Sequence, residues 1–410
     1  MRIRICLAVL LAIVPAVAVA ASPRESEEAV EALKKYLAGE GRPGLDQQPF
    51  ARTPLTKADA QAAQQLLWQA HVKQIRGTRE AEMKARLLKE GQLEMPFFYQ
   101  VFGEKPRGGR SLFISMHGGG NAARQVNDQQ WENQKRLYRP AEGVYLAPRA
   151  PTNTWNLWHE AHIDRMFARL IEDMIVFEDV DPNRVYLMGY SAGGDGVYQL
   201  APRMADRWAA ASMMAGHPND ASPLGLRNLP FAIHVGALDS GYGRNKVAAE
   251  WGKKLDDLQR GDPKGYVHLV KLHAGKAHWM DREDAEAVPW MAQFTRNPFP
   301  SRVVWKQAGV THARFYWLAV DEPKAGSEVV ASYGGQRIEV GSRDVARVRV
   351  RINDRMMDLD KPVTIMGGSK RAFGGIVPRT IGTLSRTLDE YGDPAAVFSA
   401  EVEISIDAGE

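Results

Sequence analysis

The sequence predicts an α/β protein: a doubly wound, mostly parallel sheet, with a helical N-terminal arm before it and a β-sandwich-like domain after it. Three observations predict this. Between residues 96 and 298, short continuous apolar runs alternate with stretches of helical period, as expected when both faces of a sheet are covered by helices. Residues 22–95 carry apolar side chains at helical spacing. Beyond Pro300, strict apolar–polar alternation replaces the helical period.

The chain has 410 residues, enough for more than one domain. Residues 1–20 read as a secretory leader. Met1-Arg2-Ile3-Arg4 is a basic head, Ile5 to Val19 are apolar, and Ala18-Val19-Ala20 is a small-residue cleavage site. Pro15 and the shortness of the apolar stretch speak against a retained anchor. No other stretch is long and apolar enough to span a membrane, so an exported protein, periplasmic or secreted, is expected. The single cysteine, Cys6, falls inside the leader, so the processed chain has no disulfide, no thiol nucleophile and no thiolate metal site. The formal net charge is +4, and Arg2 and Arg4 carry part of it, which gives no electrostatic case for nucleic acid. The sequence carries no signal for oligomeric state.

In the arm, Ser22-Pro23-Arg24-Glu25 reads as a capped helix start with Val30, Leu33, Tyr36 and Leu37 on one face. Residues 39–55 read as a Gly/Pro-rich loop. Thr56 caps a second helix, Thr78 a third, and Gly91 ends it. The arm is expected to pack on the main domain rather than to cover a cleft. In the main domain (96–300) the expected strands are 97–102, 111–116, 143–146, 185–188, 209–214, 231–235 and 266–272. Helical stretches are expected at about 122–138, 160–177, 194–204, 243–260 and 282–294. In residues 301–410, Val348, Val350 and Ile352 alternate with Arg347, Arg349 and Arg351, and Phe398 to Ile406 alternate too. Basic and acidic residues balance there, so the arginine stripe reads as a solvated strand face rather than a polyanion site.

The residues that carry chemistry fall at the ends of strands. Gly189-Tyr190-Ser191-Ala192-Gly193 is G-x-S-x-G between a strand and a helix, a turn that leaves a serine hydroxyl exposed. Met116-His117-Gly118-Gly119-Gly120 follows an earlier strand, and its glycines let backbone amides turn towards one point, as acyl transfer requires. With Asp181-Pro182-Asn183-Arg184-Val185-Tyr186-Leu187-Met188 leading into the serine motif, the domain resembles an α/β-hydrolase. The stretch from Asp181 to Gly194 particularly resembles the secreted polyhydroxybutyrate-depolymerase, feruloyl-esterase and prolyl-oligopeptidase-like branches. The resemblance covers roughly residues 96–298.

The resemblance implies a Ser–acid–His order along the chain and assigns Ser191 as nucleophile, Asp239 as acid and His278 as base. His273 competes with His278 but ends a strand, whereas His278 lies past Gly275 in the following loop. It also implies an oxyanion hole from the amides of Ala192 and of Gly118 or Gly119. Trp155, Trp158 and Tyr190 are candidate substrate contacts. His159, His162 and Asp164 share a helical face, but the spacing is not H-E-x-x-H, and neither metal nor cofactor is expected. His217 reads as a loop histidine.

The expected activity is hydrolysis of carboxylic esters, small or polymeric, through an acyl-enzyme. A prolyl-oligopeptidase-type peptidase would use the same triad, but such peptidases usually carry a propeller ahead of the hydrolase domain, and residues 22–95 read as helices. A third reading is a secreted binding protein that captures its target through the C-terminal β domain. The complete Ser, Asp, His order speaks against it.

Overall fold

The computed structural model describes residues 21–39 and 44–406. The expected leader with Cys6, residues 40–43 of the Gly/Pro-rich loop, and residues 407–410 lie outside the described residues. Among the described residues no helix is long and apolar enough to cross a membrane.

The arm consists of α1 (Pro23–Gly39) and α2 (Lys57–Ala85). Thr56 caps α2 as expected, its Oγ1 accepting from Asp59 N. The separate helix expected from Thr78 does not exist: Thr78 lies inside α2 and its hydroxyl donates to Gln74 O. Nor does Gly91 end a helix. It turns the hairpin of β1 (Leu87–Glu90) and β2 (Leu93–Phe102) at φ 59°, so the sheet begins before residue 96.

The main domain continues through β3 (Arg110–Met116), α3 (Arg124–Gln134), β4 (Gly143–Pro148), α4 (Ala161–Glu178), β5 (Val180–Tyr190), α5 (Ala192–Arg203) and β6 (Ala210–Met214). It closes with β7 (Phe231–Gly236), α6 (Arg244–Gly261), β8 (His268–His273) and the short α7 (Ala287–Met291). The eight strands run β1-β2-β4-β3-β5-β6-β7-β8. β2 pairs antiparallel with both neighbours, and β3 to β8 are parallel. Helices α4, α5 and α6 cover one face through Phe167, Val197, Leu200, Trp251 and Leu255. Helices α3 and α7 cover the other through Trp131, Val288 and Met291. Strands β3, β4, β6 and β7 are therefore almost wholly buried. This is the expected doubly wound α/β-hydrolase fold.

Strand neighbours decide which loops meet. β3 and β5 are adjacent, with Met116 opposite Gly189, so the glycine loop after β3 lies against the serine turn after β5. β7 and β8 are adjacent, with Gly236 opposite His273, so the loops bearing Asp239 and His278 spring from one place. All four open at the carboxyl edge of the sheet, where ligands of such folds bind.

The C-terminal region holds β9 (Arg302–Lys306), β10 (Arg314–Phe315), β11 (Leu318–Ala319), β12 (Glu328–Gly334), β13 (Arg337–Arg343), β14 (Arg347–Ile352), β15 (Val363–Gly367) and β16 (Lys370–Gly375). It ends with α8 (Ile381–Tyr391) and β17 (Ala400–Ser405). Two sheets, β10-β11-β14-β17 and β16-β15-β13-β12-β9, pack through Trp305 on Phe315 and Trp317 on Tyr333. Helix α8 was not expected. It is eleven residues long, capped by Thr380, and buries Ile381, Leu384, Leu388 and Tyr391 on one face. Its presence corrects the reading of the arginine stripe. Arg347 is exposed, but Arg351 is buried beside α8 and pairs with Glu390 at 2.7 Å and Glu401 at 2.9 Å.

The β region is not a detachable module. Tyr316 donates to Ala205 O at 2.9 Å, Arg207 donates to Tyr391 O at 2.7 Å, and one apolar core runs through both regions. Arg296 Nη2 meets Asp393 Oδ2 at 2.6 Å with both side chains about 2% exposed. Removing one partner of such a buried pair leaves an uncompensated charge. Asp393→Ala is expected to cost about 3–5 kcal/mol in urea unfolding. A chain cut after Pro300 is expected to aggregate rather than yield a soluble hydrolase domain, as measured by soluble yield and near-UV circular dichroism.

Candidate active site

Ser191 sits at φ 56°, ψ −120°, a backbone conformation that side-chain-bearing residues rarely adopt and that is held by the structure around it. Its amide donates to Met214 O at 2.9 Å, and its carbonyl accepts from Asp195 N at 3.0 Å. The sharp reversal from β5 into α5 brings the chain close to β3. A Cβ on Gly193 would lie 2.2 Å from Met116 O, and one on Gly189 would lie 2.3 Å from Gly193 O, so both positions require glycine. The turn points the serine hydroxyl out of the sheet.

Asp239, Ser191 and His278 come together. His278 Nε2 lies 3.0 Å from Ser191 Oγ, and His278 Nδ1 lies 2.8 Å from Asp239 Oδ2. The carboxylate accepts from Nδ1–H, which leaves the Nε2 lone pair facing the hydroxyl. Asp239 is buried, and Arg244 stands 3.7 Å from its other oxygen. The His278 loop is tied down by Tyr190, whose hydroxyl donates to His278 O at 2.7 Å and accepts from Met280 N at 3.2 Å. His273 stays in the sheet, hydrogen-bonded to His234 and Glu283. An imidazole arranged as His278 is can take the proton of a hydroxyl as that oxygen attacks an electrophile.

The glycine loop is shaped by Asn127, a buried residue that no motif indicated. Its Oδ1 accepts from Gly120 N at 2.8 Å, and its Nδ2 donates to Ala122 O and Ala123 O. Gly119 has φ 106°, and a Cβ there would lie 2.4 Å from Asn127 Oδ1. Gly120 N is thus occupied, and Gly118 packs against Ser191, an added Cβ lying 3.1 Å from Ser191 Cβ. His117 is buried. Its Nδ1 donates to Gly118 O at 2.6 Å and its Nε2 accepts from Ala150 N at 3.1 Å, a pattern only the neutral ring satisfies. Burial pushes its pKa down to about 3.

Two cavities flank Ser191. One, of about 260 Å³, is bounded by Gly119, Trp155, Ala192, His217, Tyr242 and Arg244. Asp195 also lines it and accepts from His217 N; burial raises its pKa. The other, of about 520 Å³, is bounded by Gly118, Gln130, Leu137, Tyr190, His278 and Trp279. Neither is lined by the arm or the β region.

The structure separates the two candidate tryptophans. Trp155 is 59% exposed at the mouth. Trp158 is fully buried, lines neither cavity, and donates to His117 O at 2.9 Å. Tyr242, 83% exposed, and Trp279, 50% exposed, complete an aromatic rim that sequence reasoning missed. Their signal in the sequence is position: Trp279 follows His278 directly, and Tyr242 lies in the loop that carries Asp239. His159, His162 and Asp164 do not converge on a metal: Asp164 is held by Arg203 and by His312, and His162 faces Glu160.

No family model matches the chain, and no curated protein matches it. Solved structures are similar to about half of the chain at low identity. A thermostable esterase is 19% identical with a TM-score of 0.40, covering 51% of this chain and 62% of its own, less than two thirds of that protein. A ferulic acid esterase is 14% identical with a TM-score of 0.38, covering 50% of this chain and 96% of its own. Esterase 2 of Thermogutta terrifontis in its apo form is 16% identical with a TM-score of 0.35, covering 51% and 91%. Likenesses this distant carry no functional argument.

Asn127→Ala strands one amide and two carbonyls and is expected to cost about 1–3 kcal/mol in urea unfolding. The buried His117 adds a pH dependence. Its folded pKa is depressed, so below pH 6.5 the unfolded chain binds a proton that the folded chain refuses until about pH 3. Within that window this residue lowers stability by about 1.4 kcal/mol per pH unit as pH falls. Unfolding titrations of His117→Gln are expected to show a shallower slope by one proton.

Proposed function

We propose that this chain is an exported serine hydrolase that cleaves carboxylic esters through an acyl-enzyme. The observation that carries this reading is the hydrogen-bonded line from Ser191 Oγ through His278 to Asp239, at 3.0 and 2.8 Å, on a strained serine turn. As Ser191 Oγ attacks the ester carbonyl, its proton passes to His278 Nε2. Asp239 holds the ring tautomer and stabilises the imidazolium. The carbonyl oxygen, now an alkoxide, is held by the amides of Ala192 and of Gly118 or Gly119. The tetrahedral species collapses, the C–O bond to the alcohol breaks, and His278 returns its proton to the departing oxygen. Water then enters, gives a proton to His278 and releases the acid by the reverse sequence.

The two cavities support a division of the substrate between acyl and alcohol groups, with Trp155 on one side of Ser191 and Tyr190 with Trp279 on the other. Trp158 acts only through the loop it braces. The basic-apolar leader ending in Ala18-Val19-Ala20 supports export. A capture role for the β region alone is disfavoured by its shared core with the hydrolase domain.

A fluorophosphonate probe tests the reading. Covalent labelling is expected, abolished in Ser191→Ala and sharply reduced in His278→Ala. Labelling that survives Ser191→Ala would remove the serine from the mechanism. Asp239→Asn is expected to lower kcat by about 10⁴-fold on a soluble acyl ester. Faster turnover of prolyl amides than of esters in parallel assays would replace the esterase reading with a peptidase.

A further inference from the structure

Below the Asp239–His278 pair the sheet carries two buried histidines that the proposed reaction does not use. His234 is opposite Lys271 and Gly236 is opposite His273 in the parallel register, so both imidazoles stand on one face of the sheet, a single side-chain step apart. His234 Nδ1 and His273 Nε2 are 3.1 Å apart, and Glu286 Oε1 lies 3.6 Å from His234 Nδ1. Among the described residues these three form the one such group whose ligand atoms all lie close together, within 4.8 Å of one another.

We propose that His234, His273 and Glu286 form a divalent transition-metal site, with zinc as the favoured ion, that rivets β7 to β8. Ligands of a tetrahedral zinc stand on the order of 3.3 Å from one another, given bonds of about 2.0–2.2 Å; the separations of 3.1 and 3.6 Å bracket that value, and the third lies within 4.8 Å. The outer partner is present as well. His273 Nδ1 faces Glu283 Oε2 at 3.2 Å, and Glu283 is held in turn by Lys276 at 3.0 Å. A carboxylate on the far nitrogen turns the near nitrogen towards a metal as a lone pair. That makes His234 Nδ1 the donor between the two rings in the metal-free protein, so binding moves its proton to Nε2, which is buried and has no hydrogen-bond partner among the described residues.

The histidines close the inner side, and Glu286, with a side chain 41% exposed, leaves the outer side open for water as fourth ligand. Lys271 Nζ, 2.5 Å from Glu286 and 46% exposed, stands where a cation belongs. Its flexible stem can withdraw, and an arriving ion exchanges one positive charge on Glu286 for another. The site lies on the strands from whose ends the Asp239 and His278 loops leave.

The test uses the tag-free full chain, dialysed against chelator and titrated with zinc chloride by calorimetry. One zinc per chain is expected. A Tm rise of about 5 °C is expected at 100-fold excess over Kd, reversed by EDTA. Glu286→Gln is expected to abolish this binding while its metal-free Tm stays within a degree or so of wild type. Glu283→Gln is expected to weaken binding by about 10–100-fold, and Lys271→Met to tighten it. Ser191→Ala is expected to bind zinc unchanged, which separates this site from the hydrolase reading. Absence of stoichiometric binding in both wild type and Lys271→Met, or binding unaltered by Glu286→Gln, would overturn the proposal.

Discussion

The architecture turns on the reversal at Ser191. A side chain at φ 56°, ψ −120° costs on the order of 1–3 kcal/mol, and the surrounding structure must supply it. Here the supply is close backbone contact on two sides. Gly193 lies against the end of β3, and Ser191 N is bound to the end of β6. The central strands must therefore be in register before the serine is presented at all. The buried core on both sheet faces is, in this sense, the support of one strained residue.

From that turn outward, each polar group near the serine is fixed by another. Tyr190 holds the His278 loop, Asn127 shapes the glycine loop, and Trp158 and Ala150 fasten His117 behind it. The exposed groups at the mouth are mainly aromatic rings, whereas the hydrogen bonds that set the geometry are behind the wall. Position and the cavity walls are thus carried largely by different residues, with Tyr190 serving both.

Much of this was legible because burial on both faces leaves a simple signature. β3, β4, β6 and β7 read as largely apolar runs, and the segments after β5, β7 and β8 carry Ser191, Asp239 and His278 in the order that the resemblance implies. What stayed hidden depended on contacts distant in sequence. Trp155 and Trp158 look alike in the chain, and only the carbonyl of His117 draws one of them inside. Helix α8 has its apolar residues at positions 381, 384, 388 and 391, with Thr380 before and Gly392 after. The strong alternation of the strands around it masks that pattern in the sequence. Gly91 reads as a helix stop, yet a turn glycine serves hairpins equally well.

The arm has a consequence for the order in which the molecule can be completed. Its apolar face, with Leu33, Leu55, Ala63 and Leu67, is covered by Ile381, Leu384, Leu388 and Val397 in a separate small core. Leu55 bridges to Arg379 across most of the chain's length. During synthesis α2 can rest on α4, where Arg79 pairs with Glu172 and Asp173, but the apolar face has no native cover until residues 381–397 emerge. This contact joins segments far apart in sequence, so the chain between them must already be ordered or its closure is entropically costly. That face is among the last apolar surfaces to be covered, and until then it is a sticky surface of the nascent protein.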